Sequence, residues 1–242
     1  MMFAADSPIH AMPRAQQASN LAGRERIRGG VLAKGPQTRA LGPDDYASLD
    51  FIVVENFLDA AARTELMRSF DALRGTLGAK NLNNDYWQGR LLFAHEVAAQ
   101  SPVAGGIMKQ FQLEATRRIG EFYRLTQPIY ADTVQLVVWR EGLHMPAHAD
   151  NANPDGSPHG MPWRSFSSIV YLNDDYDGGE LYFTALDAYI KPTAGMLVAF
   201  TAGFHHEHAV LNVAKGERLT MPAFYTFERG KADFFIHSDL AR

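Results

Sequence analysis

The chain has 242 residues, of which 46% are apolar and 21% charged, with a net charge of -4 and no cysteine. This composition fits a globular protein with enough apolar material for a sizeable core. It excludes disulfides, thiolate metal sites and a cysteine nucleophile, and its acidic balance argues against a nucleic-acid partner.

No apolar run reaches the roughly 20 residues of a membrane span, and the first residues lack the basic and apolar regions of a secretory leader. A cytoplasmic protein with no membrane partner is the expectation. Residues 1–45 are basic (Arg14, Arg24, Arg26, Arg28, Lys34 and Arg39, against only Asp6 and Glu25 before position 41) and weakly periodic. They read as a flexible arm, with residues 46–242 as one domain. Within that domain, 46–130 reads as helical support and 131–230 as a jelly-roll core.

Residues 51–54 read as a strand. Asp59 then caps a helix to about Arg74, with Leu58, Ala62, Leu66, Phe70 and Leu73 on one face. "NNDYWQGRLLF" holds Tyr86, Trp87 and Arg90, and reads either as a hairpin packed on the core or as a lid over a substrate path. Ser101 and Pro102 open a second helix to about Leu125, expected to bury Ile107, Phe111, Ile119 and Phe122. After Pro128 the pattern turns to short strands. "TVQLVVWR" alternates, and "FSSIVYLN", "GELYF", "AYIKP", "GMLVAFT", "HAVLNV" and "RLTMPAFYTF" follow between turn-rich loops. That spacing points to an all-β sandwich or barrel with the helices covering one sheet. Pro222, inside the last strand, predicts a bulge or an edge.

Two stretches carry chemistry. In "HMPAHADN", His148 and Asp150 are two residues apart, and on a strand such positions share a face. With one further histidine they make the two-histidine, one-carboxylate triad that leaves positions open on Fe(II). "FHHEHAV" supplies three candidates, His205, His206 and His208. A separate metal site from His205, His206 and Glu207 is disfavoured, since adjacent side chains converge poorly on one ion.

Residues 134–227 resemble the iron- and 2-oxoglutarate-dependent dioxygenases of the prolyl 4-hydroxylase-like branch. The resemblance rests on "WREGLHMPAHAD", "SSIVYLNDDYDGGELYF", "IKPTAGMLVAF" and "HAVLNVAKGERL", in that order. It implies a mainly β fold with supporting helices, built on a double-stranded β-helix (jelly-roll, cupin-like) core. Only His208 as third ligand puts Val213, Gly216 and Arg218 at the family's spacings, so the implied iron ligands are His148, Asp150 and His208. Arg218 and Tyr171 are implied to bind the distal carboxylate of 2-oxoglutarate, and Leu181 to line the same pocket. The guanidinium fork suits a carboxylate through paired charge-assisted bonds.

The implied reaction decarboxylates 2-oxoglutarate to succinate and uses O2 to hydroxylate an unactivated carbon, with ascorbate as a supporting reductant. Halogenating relatives lack the carboxylate that Asp150 provides, which favours hydroxylation. Trp139 and Met145 stand where prolyl-peptide hydroxylases commonly carry tyrosine. The expected substrate is therefore an amino-acid-related or other small molecule, with a peptide or protein as the alternative. A non-catalytic metal-binding jelly roll is the third reading. His144, Trp163, Arg164 and Trp87 complete the candidate substrate residues, with His159 in the same loop as Trp163. Phe224 replaces a usual tryptophan and reads as a packing exchange. His205 and His206 are expected in a loop at the barrel mouth.

Overall fold

A computed structural model describes residues 39–79, 85–153 and 159–238. Residues 1–38, most of the expected arm, lie outside that range. Two sheets face one another. The larger runs in the order β2 (Ile52–Val54), β10 (Leu197–Thr201), β6 (Phe166–Tyr171), β13 (Glu217–Thr226), β4 (Tyr130–Arg140) and β3 (Leu91–Phe93). The smaller runs β1 (Arg39–Ala40), β9 (Ala188–Ile190), β8 (Leu181–Phe183), β11 (His208–Val210) and β5 (Met145–His148). A small ribbon pairs β7 (Asp177–Gly178) with β12 (Val213–Lys215). This is the expected double-stranded β-helix. Arg39–Ala40 pair with β9, and Leu41 is buried, so the segment read as an arm has already joined the sheet by residue 39.

Strand alternation divides the core in two. Val134, Leu136 and Val138 of β4, Phe166 and Val170 of β6, and Met221, Ala223 and Tyr225 of β13 face the helices. Val137 and Trp139, Ile169 and Tyr171, and Val198 and Phe200 face the smaller sheet.

The helix Ala60–Leu73 is capped by Asp59, whose carboxylate accepts the Ala62 N–H at 2.8 Å. It buries Ala62, Leu66 and Phe70 as its spacing predicts. The helix Pro102–Phe122 is capped by the Ser101 hydroxyl. Its buried stripe differs from the expected one. Ala104, Gly105, Met108, Gln112, Ala115 and Ile119 are buried, Ile107 and Phe111 only partly, and Phe122 is 37% exposed. The small residues let this helix approach its neighbours closely. A Cβ at Gly105 would lie 2.4 Å from Ala98 Cβ of the intervening helix Ala94–Gln100.

Pro222 also departs from expectation, because β13 is a central strand. Pairing to β4 skips Met221 and Pro222, between Thr220↔Val137 and Ala223↔Val134, and the register shift falls later, at Phe224/Tyr225. Pro222 keeps its place opposite Ile169 on the β6 side.

Candidate active site

Strand pairing builds the centre. His208 on β11 lies directly opposite His148 on β5, with Phe183 of β8 on its other side. Asp150 follows β5 and is fixed by its N–H, which donates to Ala202 O at 2.8 Å. One ligand atom from each of His148, Asp150 and His208 lies within 4.8 Å of the others. His148 Nε2 is 3.5 Å from Asp150 Oδ1, and His208 Nε2 is 3.9 Å from Asp150 Oδ2.

The donor set fits a divalent metal. His148 Nδ1–H donates to Pro146 O at 2.8 Å, and His208 Nδ1–H to His206 O at 3.0 Å. Both bonds leave the Nε2 lone pair aimed at the common point, as metal-ligating imidazoles require. Burial would raise the Asp150 carboxyl, but His208 and His148 outweigh it and hold it far below its usual range. Burial lowers His208 to about 4, helped by the neighbouring His148. On His148 burial acts the same way, yet the contact with Asp150 prevails and raises it. Asp150 is therefore held as a carboxylate and His208 as a neutral imidazole, the forms a metal needs, while a metal would have to displace the proton that Asp150 favours on His148.

Arg218, on the inward face of β13, is 1% exposed. Its Nη2 donates to the Tyr171 hydroxyl at 3.4 Å, and its buried Nε has no partner. Among the described residues no carboxylate pairs with it. Tyr176 also encloses it, its buried hydroxyl lying beside the guanidinium, and Leu181 packs beside Tyr171. Gly179, at φ 68°, lets the backbone pass here, since a Cβ would sit 2.9 Å from Arg218 Cδ. A buried cation with an unused Nε–H and two tyrosine hydroxyls beside it is chemically suited to an incoming carboxylate.

Trp139 is opposite Arg218 across the β4–β13 pair, with the guanidinium carbon 5.5 Å from its ring centre. Its other neighbour is Arg90, whose guanidinium carbon lies 4.3 Å from Trp139, 4.9 Å from Trp87 and 4.5 Å from Tyr86. Met145 packs on the same cluster. His144 is exposed, and its carbonyl accepts from the Tyr86 hydroxyl. Trp87 and Tyr86 thus sit on a short turn, Asp85–Trp87, leading into β3.

On the far side, Arg164 is buried with its guanidinium carbon 3.5 Å from the Phe224 ring centre. Asp132 anchors the pair Trp163 Nε1 (2.7 Å) and Arg164 Nε (3.4 Å). Burial lowers Arg164, against the pull of Asp132 and then Asp150. Burial also lowers His159, with the charge of Arg164 next in order.

The structure corrects the reading of His206, which is 1% exposed rather than at the mouth. It packs among Phe51, Phe183 and Phe200. Nδ1 accepts from Thr201, and Nε2–H donates to Leu49 O at 2.9 Å. Burial drives its pKa down to about 3, keeping it neutral. His205 alone is partly open, with Nε2 3.4 Å from Asp50. The sequence reading also missed Ser167, whose hydroxyl donates to Asp150 Oδ2 at 2.5 Å. Its inward parity with Tyr171, four residues on, was the available signal.

Two histidines and one carboxylate at one mouth of a double-stranded β-helix define the mononuclear non-haem iron class of centre. Residues 134–226 match the family model of the 2OG-Fe(II) oxygenase superfamily. Mouse prolyl 3-hydroxylase 2 is 23% identical over 251 aligned residues, covering 91% of this chain and 36% of that protein. The chain thus spans about a third of the length of that curated relative. The viral collagen prolyl hydroxylase of Paramecium bursaria Chlorella virus-1, in its 2OG complex, superimposes with a TM-score of 0.55 at 17% identity, covering 73% of this chain and 94% of that one. A Trichoplax adhaerens prolyl hydroxylase, in complex with a hypoxia inducible factor peptide fragment, gives 0.54 at 16% identity, covering 90% and 96%. These two share the fold. Residues 134–226 thus match the 2OG-Fe(II) oxygenase superfamily, and the curated similarity of the chain is to that superfamily's prolyl hydroxylases.

Proposed function

We propose that the chain is an Fe(II)- and 2-oxoglutarate-dependent hydroxylase acting on a prolyl residue of a peptide or protein. The observation that carries the reaction class is the triad together with a sealed guanidinium at Arg218 that no carboxylate pairs with among the described residues. In this reading His148, Asp150 and His208 hold iron, which supplies O2 activation when bound. Arg218 and the Tyr171 hydroxyl bind the distal carboxylate of 2-oxoglutarate, with Leu181 and Trp139 as walls. Asp150 keeps a full carboxylate in the centre, which favours hydroxylation.

The similarity to prolyl 3-hydroxylase 2 across 91% of this chain supports a prolyl substrate. The small-molecule reading drew on Trp139 and Met145 in place of tyrosines. Both have packing partners within the chain, Trp139 between two guanidinium groups and Met145 in its cluster, so neither argues against a peptide. Arg164, set on Phe224 and held by Asp132, together with Trp163, His144 and Trp87, is the proposed substrate wall.

The test measures succinate release from 2-oxoglutarate with Fe(II) and O2, while a panel of proline-containing peptides, free proline and other amino acids is screened by mass spectrometry for one added oxygen. Oxygen gained on a peptidyl proline is the expected result. Gain on free amino acids alone selects the small-molecule reading. No succinate from wild type, or no loss on His208→Ala, ends the oxygenase proposal.

A further inference from the structure

We infer that Ser167 is a positioning residue that holds Asp150 as a one-oxygen metal ligand; the inference rests on the triad being the metal centre. Ser167 and Asp150 are 3% and 7% exposed, so solvent does not compete for their contact. The Ser167 hydroxyl donates to Asp150 Oδ2 at 2.5 Å, within the range of a strong bond to a charged oxygen. Among the described residues Oδ1 accepts no hydroxyl bond; it lies 3.5 Å from His148 Nε2, while the bonded Oδ2 lies 3.9 Å from His208 Nε2.

Ser167 sits on a rigid element. Its backbone is in register with Phe200 of β10 and Phe224 of β13, in the middle of the larger sheet. Asp150 follows the smaller sheet and is tied to Ala202 through its N–H. The hydroxyl therefore fixes the carboxylate's rotation from the opposite sheet. An oxygen engaged by a short hydrogen bond is the poorer metal donor, so Oδ1 becomes the ligand. Without that bond the carboxylate is free to turn and bind through both oxygens, occupying a position that the reaction needs open. Outer-shell hydrogen bonds of this kind change metal affinity by roughly ten- to a hundredfold.

The probe is Co(II), titrated anaerobically and followed by its visible absorption, which reports both affinity and coordination number. Wild type binding Co(II) tests the centre itself; its failure overturns the centre and this inference together. With wild type binding, Ser167→Ala is expected to bind at least about tenfold more weakly, with a changed band shape. Ser167→Thr, which keeps the hydroxyl, is expected to restore both. If Ser167→Ala does not fold, Ser167→Cys, nearly isosteric and a weak donor, takes its place with the same expectation. Unchanged affinity and spectrum in the hydroxyl-less variant, or equal loss in Ser167→Thr, overturns the inference while leaving the oxygenase reading intact.

Discussion

A guanidinium sealed from solvent with no carboxylate beside it is costly, and the cost falls when an anion arrives. Among the described residues that is the state of Arg218, at 1% exposure with a tyrosine hydroxyl as its acceptor. Arg218→Met should raise the KM for 2-oxoglutarate by roughly ten- to a hundredfold, from the 1.5–3 kcal/mol of a charge-assisted bond. Metal affinity should be unchanged, as a Co(II) titration would show. The two histidines before His208 should behave differently. His205→Ala should leave both stability and metal affinity near wild type. His206→Ala should lower stability by about 2–4 kcal/mol, since it opens a cavity among three phenylalanines and frees three hydrogen-bonded groups, the Thr201 N–H and hydroxyl and the Leu49 carbonyl. Urea unfolding would separate them. His237 offers a pH test. Its Nε2 accepts the Ala131 N–H at 2.8 Å, and burial lowers its pKa. The folded state therefore binds fewer protons than the unfolded chain below the ordinary histidine value of about 6.5. Stability from this contact is complete above that pH and declines as the pH falls below it. Unfolding free energies measured between neutral and mildly acidic pH should decline more steeply for wild type than for His237→Leu.

At the level of elements, the two capped helices were legible because their signals are local. Asp59 and Ser101 each announce a first turn, and each accepts the expected N–H. Asp59→Ala or Ser101→Ala should cost about 1 kcal/mol in denaturant unfolding. The buried stripe of the longer helix was less legible. Large side chains such as Phe122 suggested the inner face, whereas close packing selected small ones and the polar Gln112. Gln112 Oε1 accepts from the Tyr225 hydroxyl at 2.6 Å, which also contacts Ser168, a partnership of the helix with two neighbouring strands far along the chain that no local pattern encodes. Gly105→Val should test that packing, with a loss of about 1–3 kcal/mol from forced displacement of the helix Ala94–Gln100. The triad was readable because His148 and Asp150 stand two apart and the family resemblance singled out His208 among three histidines; the structure brings the three together, with Asp150 just past the end of β5. Ser167 was less so: its parity with Tyr171 marks the inward serine of the pair, but nothing local shows its contact with Asp150, which the opposite sheet brings to it.

Across the whole molecule, the site joins the two sheets. His148 and His208 belong to the smaller sheet, while Tyr171, Ser167 and Arg218 belong to the larger. Bound metal should therefore stabilise the fold by mass action, by about 2.7 kcal/mol at a hundredfold excess over its Kd. A thermal-unfolding series in Co(II) would measure it, and Asp150→Ala should abolish the shift. The pairing of His208 with His148 has a further consequence. Sliding β11 past β5 by one residue would put Glu207 or Ala209 opposite His148 and turn the His208 imidazole to the outer surface. A chain paired that way could be compact and still lack its third ligand. Metal retention thus sorts correctly aligned molecules from mispaired ones after refolding, which ordinary measures of compactness do not do.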